Sequence, residues 1–202
     1  MTVILDYNLG NPLSIKNMLS FIGVDSKISS SPFEIASAKR IILPGVGHFQ
    51  YGMKQLLQLD LVDFLKSEVI DNRKPVLGIC LGMQLLTLHS EESDTLGLGF
   101  IDALTKKFVF NDKSLKVPHM GWNTISFKKE SLLNQDLSKV ARYYFVHSFF
   151  VDCANSQDIL CTTQYGHEFV SGFQHQNIFG LQFHPEKSHK FGMELLANFC
   201  KI

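Results

Sequence analysis

The sequence predicts an α/β fold, a mostly parallel sheet covered by helices on both faces, with an antiparallel β excursion in the second half. Three observations predict it. Up to about residue 90, short apolar runs alternate with helical stretches, the order that a buried parallel sheet demands. From about residue 103 the pattern changes to closely spaced β-like runs. The chain of 202 residues, 45% apolar with 17 Phe, 5 Tyr and 1 Trp, is enough for a single domain over 1–202 with a sizeable core, and it shows no repeat, linker or low-complexity tract.

Residues 3–7 form the first apolar run. Gly10-Asn11-Pro12 then supplies a turn, an N-cap and a proline at the first helical position for a helix over 13–22, closed by Gly23. A second strand is expected over 25–28, and Ser31-Pro32-Phe33-Glu34 matches a capping box that opens a brief helix. Arg40-Ile41-Ile42-Leu43 reads as a buried strand broken by Pro44-Gly45-Val46-Gly47, with helical stretches over 49–57 and 61–72 behind it. Pro75-Val76-Leu77-Gly78-Ile79 restores an apolar strand, and a helix is expected over 81–89. The β-like runs of the second half cover 107–110, 123–127, 143–151, 159–165, 169–174 and 178–183. A last helix over 188–200 places Phe191, Leu195, Leu196 and Phe199 on one face.

Nineteen Lys and Arg balance nineteen Asp and Glu, so there is no basic field to hold nucleic acid or an anionic membrane. No apolar run approaches the ~20 residues of a membrane helix. Met1-Thr2-Val3-Ile4-Leu5-Asp6 has no basic region and reaches an acid after three strong apolar residues, too short for a signal sequence. Cys80, Cys153, Cys161 and Cys200 form no Cys-x-x-Cys pair, which excludes a disulfide framework or zinc site written in the spacing and makes a reducing cytosol the default. A neutral chain with only 19% charged residues favours association with a partner protein.

Gly78-Ile79-Cys80-Leu81-Gly82 lies between an expected strand and an expected helix, the context of a nucleophile elbow with cysteine in place of serine. The sharp turn strains its central residue, so positions two before and two after must be nearly side-chainless, and both are glycine. Cys80 would project from the end of a strand at a helix N-terminus, whose partial positive charge lowers a thiol pKa. A free cysteine is ordinarily a small buried hydrophobe; the paired glycines turn those odds for Cys80, while Cys153, Cys161 and Cys200 keep the ordinary reading.

A thiolate nucleophile needs a base oriented by a third group. His184-Pro185-Glu186 offers both, because in an extended segment residues two apart point the same way. Gly45-Val46-Gly47 can present a backbone N–H toward Cys80 and form an oxyanion hole with the N–H of Leu81, or it is only a tight turn or a phosphate loop. The phosphate reading is weak because neither standard glycine-rich phosphate pattern is present. The eight histidines include no His-Glu-x-x-His and no Cys/His pair at ligand spacing, so no metal site is expected. His48, His89, His167, His175 and His189 read as ordinary surface or satisfied polar residues.

Gly78-Ile79-Cys80-Leu81-Gly82-Met83-Gln84 with Phe183-His184-Pro185-Glu186 resembles the class I (triad) glutamine amidotransferases. More narrowly, the chain is similar to the glutaminase subunits of imidazole glycerol phosphate synthase. That likeness is carried by Pro44-Gly45-Val46-Gly47, Val117-Pro118-His119-Met120-Gly121-Trp122-Asn123, Tyr144-Phe145-Val146-His147-Ser148 and His184-Pro185-Glu186-Lys187-Ser188. It runs from Asp6 to Phe199, with the motifs in the family's order. The resemblance implies a flavodoxin-like three-layer α/β/α sandwich and a triad of Cys80 as nucleophile, His184 as acid and base, and Glu186 as orienter. It implies an oxyanion hole from Val46 or Gly47 with Leu81, and glutamine binding by Gln84, Gly47, His147, Ser148 and Phe149. It further implies a heterodimer with a (β/α)8 barrel cyclase, faced by Asn11, His119, Trp122, Asn123 and Lys187, and no cofactor; for the His119 segment a Pro/Gly loop that packs an aromatic is an equal alternative. Three positions depart from the family pattern. Asn8 replaces a usual glycine and tolerates a left-handed backbone. His48 stands where alanine is common, and Phe149 where tyrosine is common.

Two other readings remain open on the residues. One is a cysteine hydrolase or stress protein of the same architecture, against which Gln84 and the late His-Pro-Glu speak. The other lies within the family, a glutaminase feeding ammonia to an enzyme that modifies a nucleotide-linked sugar of a surface polysaccharide; the Ser188-His189-Lys190-Phe191-Gly192-Met193 tail leans that way.

Overall fold

The structure, a computed structural model, describes residues 1–138 and 141–202. Its first half runs β1 (Thr2–Leu5), α1 (Pro12–Phe21), β2 (Ser26–Ser29), α2 (Pro32–Ser37), β3 (Arg40–Leu43), α3 (Phe49–Gln58), α4 (Leu61–Lys66), β4 (Val76–Ile79) and α5 (Leu81–Leu85). α4 widens into a π-helical turn over Ser67–Asp71. The short strands β5 (His89–Ser90) and β6 (Thr95–Leu96) lead to β7 (Ala103–Lys107), β8 (His119–Thr124), β9 (Ser126–Phe127), β10 (Arg142–His147) and β11 (Phe149–Cys153). β12 (Ile159–Tyr165), β13 (His167–His175), β14 (Ile178–Leu181) and α6 (His189–Phe199) complete the chain.

One sheet follows the order β2-β1-β3-β4-β14-β13-β11-β7-β5-β6. The first five strands are parallel, and β13 joins antiparallel to β14, which begins the excursion. β8 and β10 form a separate antiparallel pair, in register Phe145↔Gly121 and His147↔His119.

Strand alternation divides the core into two layers. Val3 and Leu5 of β1 and Ile41 and Leu43 of β3 point into a layer shared with Phe49, Leu56, Leu65 and Met83. Ile4, Ile42, Leu77 and Phe179 point to the other face, against Ile15 and Leu19 of α1 and Leu195, Leu196 and Phe199 of α6. Helices therefore cover both faces, as the flavodoxin-like sandwich requires. Each fully buried Leu, Ile or Phe contributes about 1.5–3 kcal/mol, so the sheet is held from both sides.

Four local expectations are corrected. Ser31 makes no side-chain cap; its N–H donates instead to Ser29 Oγ at 3.0 Å, and Glu34 is drawn away to Lys27. The helix expected over 81–89 stops at Leu85, because the returning chain takes its carbonyls: Leu98 N–H donates to Leu85 O at 2.8 Å and Phe100 N–H to Leu86 O at 2.9 Å. The strand expected over 107–110 lies earlier, at β7, where Ala103 and Thr105 are the buried alternate positions. The run over 143–151 is broken at Ser148, whose neighbours belong to different sheets. Asn8 adopts φ 63°, the left-handed backbone anticipated for it, and Asn11 caps α1 by accepting from Ser14 N–H at 3.1 Å.

Candidate active site

β4 and α5 meet at Cys80, which has φ 54° and ψ −110°, a strained backbone for a residue with a side chain. A Cβ at Gly78 would lie 2.6 Å from Gly82 O, and one at Gly82 would lie 1.9 Å from Leu43 O. Only glycine therefore fits on either side of the elbow. Cys80 N–H donates to Leu181 O of β14 at 2.7 Å, which ties the elbow to the neighbouring strand.

The segment that follows that neighbouring strand carries the base. His184 is fully buried, its Nδ1 2.7 Å from Glu186 Oε1. Glu186 accepts only, so Nδ1 carries the proton and Nε2 is free for proton transfer. Among the described residues no group bonds Nε2, which leaves it unpartnered in the site. Burial works against a charged imidazole here, yet the Cys80 sulfur and the Glu186 carboxylate outweigh it and push His184 up to about 10. The segment is not extended as the spacing implied: Pro185–Lys187 is a 3₁₀ turn. Ser188 holds it by donating to His184 O at 2.6 Å while accepting from Tyr144 N–H at 3.0 Å.

Cys80 opens onto a cavity of about 290 Å³ that brings together Val46, Gly47, Leu81, Gln84, His147, Ser148 and Phe149. Gln84 Nε2 donates to Phe149 O at 3.2 Å and to Gln182 Oε1 at 3.0 Å, and Gln182 Nε2 lies 3.8 Å from the Cys80 sulfur. The departure at Phe149 is met by this geometry, since its main-chain carbonyl, present in any residue, is what Gln84 engages.

Glu92, which the sequence reading missed, also lines the cavity. Its Oε2 accepts from Phe49 N–H at 2.7 Å, and His48 lies 3.9 Å from its Oε1 and 3.2 Å from Ser93 Oγ. Acids at 91 and 92 in a short irregular stretch give no signal of this; the β5–β6 turn folds Glu92 back over the pocket.

Two expectations need correction. Leu81 N–H is not open to an oxyanion, because it donates to Gly45 O at 3.3 Å. The Gly45–Val46 peptide thus presents its carbonyl where the hole requires a donor. His119 is not on a partner-facing surface, since strand alternation points it inward and only 3% of it is exposed. Met120 and Trp122 face outward on the same strand, 61% and 40% exposed. Trp122 stacks on His189 with ring planes 3° apart, and the exposed Lys187 reaches to 5.8 Å from the Tyr144 ring centroid. Asn11 is exposed beside Gly10, whose backbone packs on Pro44 and Gly45 at the mouth.

The model of the family described as glutamine amidotransferase class-I matches residues 3–202. A relative from Methanococcus maripaludis, imidazole glycerol phosphate synthase subunit HisH 2, is 51% identical, covering 100% of this chain and 99% of its own. The protein of the same name from Pseudomonas aeruginosa is 46% identical over 100% of both chains, and subunit HisH 1 from Campylobacter jejuni subsp. jejuni 41%, also over 100% of both. Among solved structures, one described as a glutamine amidotransferase superposes with TM-score 0.75 at 15% identity, covering 98% of this chain and 97% of that one. A chain of the PurLQS structure from Thermotoga maritima gives TM-score 0.75 at 16% identity, covering 99% and 97%, and at such identities both speak for the fold. With an elbow cysteine, a buried histidine–carboxylate pair just beyond the adjoining strand and this full-length identity, the chain belongs to the class I glutamine amidotransferases, among the HisH glutaminase subunits of imidazole glycerol phosphate synthase.

Proposed function

We propose that Cys80, His184 and Glu186 hydrolyse glutamine and that the freed ammonia passes to a (β/α)8 barrel cyclase docked over the pocket mouth. The observation that carries this reading is the His184–Glu186 pair at 2.7 Å buried beside the one thiol that opens onto the cavity. The Cys80 thiolate attacks the side-chain amide carbon, the carbonyl π electrons move to oxygen, and His184 gives its proton to the departing nitrogen. The C–N bond breaks to leave a thioester and ammonia. Water, deprotonated by His184, then attacks the thioester and releases glutamate and the thiolate. The oxyanion is held by Leu81 N–H and an N–H of Val46 or Gly47. For that, the Gly45–Val46 peptide must turn its carbonyl away. Glu92 complements the substrate's ammonium group, and Gln84, with the Ser148 turn, fixes the opposite side.

Ammonia released into neutral water is largely protonated and no longer nucleophilic, so the reaction requires a partner over the mouth. Asn11, Trp122 and Lys187 would face it, whereas Asn123 lies on the His119 side of β8 and is engaged with His119 and Gln164 O. In this reading the chain acts as one glutaminase domain, and its ammonia is consumed by the cyclase that makes imidazole glycerol phosphate and aminoimidazole carboxamide ribotide in histidine biosynthesis. Four free cysteines suit a reducing cytoplasm.

A glutamine-mimicking electrophile should label Cys80. Burial pushes the Cys153 and Cys161 thiols each up to about 12, which keeps them protonated and unreactive. Label on those thiols with Cys80 protected would overturn the assignment. Rescue of a histidine auxotroph by this chain with its cyclase tests the acceptor; an active glutaminase without rescue would move the acceptor to a nucleotide-linked sugar.

A further inference from the structure

Two histidines that the mechanism does not use form a continuous hydrogen-bonded line behind the pocket. His147 Nδ1 lies 2.7 Å from Phe149 O, and His147 Nε2 lies 3.0 Å from His119 Nδ1. His119 Nε2 is 3.3 Å from Asn123 Nδ2, whose amide also donates to Gln164 O at 3.1 Å. The carbonyl at one end fixes every proton in the line. Phe149 O can only accept, so His147 carries its proton on Nδ1 and its Nε2 accepts. His119 must then donate from Nδ1, its Nε2 accepts, and the Asn123 amide donates to it. Each ring is neutral, in the Nδ1–H tautomer, with both nitrogens satisfied.

The surroundings enforce this state. His119 stacks on Tyr165, with centroids 4.1 Å apart, and Phe145 and Phe169 pack against both imidazoles. A further proton on either ring would point a donor at a donor inside an aromatic enclosure. Burial holds the His119 imidazole down at about 4 and the His147 imidazole down at about 3, the latter also opposed by the nearby His184.

The line ends where the glutamine pocket begins. Phe149 O accepts from His147 and from Gln84 together, and Gln84 continues through Gln182 to the Cys80 sulfur. We infer that His119 and His147 are positioning residues of the glutaminase, a neutral dyad whose fixed tautomers hold the Ser148 turn and the Phe149 carbonyl so that Gln84 sets the substrate against Cys80. This rests on the glutaminase reading of the cavity, and it assigns His147 to the wall behind the substrate, since both its ring nitrogens are already engaged.

The experiment compares His119→Leu, which removes the donor, with His119→Asn, whose side-chain amide can replace the Nδ1–H. Cys80 is labelled by a glutamine-mimicking electrophile and, separately, by iodoacetamide, which needs no glutamine pocket; KM and kcat for glutamine are measured with the cyclase present. In His119→Leu, glutamine-directed labelling should slow and KM rise, each roughly tenfold. Iodoacetamide labelling should stay at the wild-type rate, and His119→Asn should recover most of the loss. Wild-type labelling and KM in His119→Leu would reduce the dyad to packing, and equal slowing with both reagents would place its effect on the thiol; either result overturns the inference. Should wild-type Cys80 itself resist the glutamine mimic, the glutaminase reading fails, which is a separate outcome. Nitrogen NMR of the unmodified protein supplies a check independent of the variants. Neutral Nδ1–H signals from both rings are expected between pH 5 and 8, and an Nε2–H tautomer on either ring overturns the dyad.

Discussion

The two walls of the pocket are built in opposite ways. At the Cys80 elbow the backbone decides: Gly78 and Gly82 admit no side chain, Cys80 N–H is pinned to Leu181 O, and the geometry follows from close packing. At the Ser148 turn between β10 and β11 the chain passes from one sheet to the other, with Ser148 O accepting from Phe108 N–H at 3.1 Å, and a line of side chains from Asn123 to Gln84 meets at the Phe149 carbonyl. Close-packed backbone fails at one atom, whereas a hydrogen-bonded line fails in proportion to the links removed. The elbow should therefore respond to substitution in an all-or-none manner and the wall by degrees.

The largest effect belongs to the elbow. Cys80→Ala or Cys80→Ser should remove glutamine hydrolysis to background while the circular dichroism of the fold is kept, since no other thiol opens onto the cavity. Residual turnover above background would mean a second nucleophile.

His184→Ala should lower kcat by ~10²–10⁴, the usual contribution of a general acid and base. Glu186→Gln should cost less, because the amide keeps the hydrogen-bond shape but no longer stabilises the imidazolium. A Glu186→Gln enzyme at the wild-type rate would show that another group orients the histidine.

The same pair gives a pH dependence of stability. Because His184 is raised from 6.5 to about 10 in the folded protein, its contribution is fully present below about 6.5 and is lost as pH rises toward 10. Denaturant midpoints should fall over that interval in the wild type and fall less in His184→Ala. Parallel curves for the two proteins would remove the histidine from the titration.

Gly82→Ala tests packing without touching the chemistry. A methyl 1.9 Å from Leu43 O forces β3 and α5 apart, so unfolding should become easier by about 1–3 kcal/mol, and activity should be lost with it. By contrast, Phe149→Ala on the wall should change KM by under roughly tenfold, since the carbonyl that meets Gln84 and His147 remains. Collapse of activity in Phe149→Ala with a mild Gly82→Ala would invert the comparison.

The smallest effect is expected at the rim. Exposed Lys187 contributes roughly 0–1 kcal/mol in any ion pair. Lys187→Ala should leave the synthase reaction driven by ammonium salts nearly unchanged while weakening the one driven by glutamine, because only the latter needs the mouths aligned. Equal effects on both ammonia sources would return Lys187 to the solvated surface.

What the sequence by itself determined is what short-range sterics impose. The elbow is written in two glycines flanking one cysteine; the His184–Glu186 pair forms as expected, but through the 3₁₀ turn at Pro185–Lys187 and not through the extended segment that the spacing implied. The N-cap at Asn11 is fixed by its own neighbours, and the parallel half by apolar runs too short to be anything but strands. The length of α5 was not legible, because the chain returning through Leu98 and Phe100 takes its carbonyls. Nor was Glu92, which reaches the pocket only through the β5–β6 turn. The state of the oxyanion donors depends on which way one peptide at Gly45 faces, a choice that side-chain identity does not encode. The His119–His147 pair lies 28 residues apart and exists only through the register of β8 on β10. Contacts of that kind cost chain entropy that local sequence cannot repay, so they are decided by the assembled core.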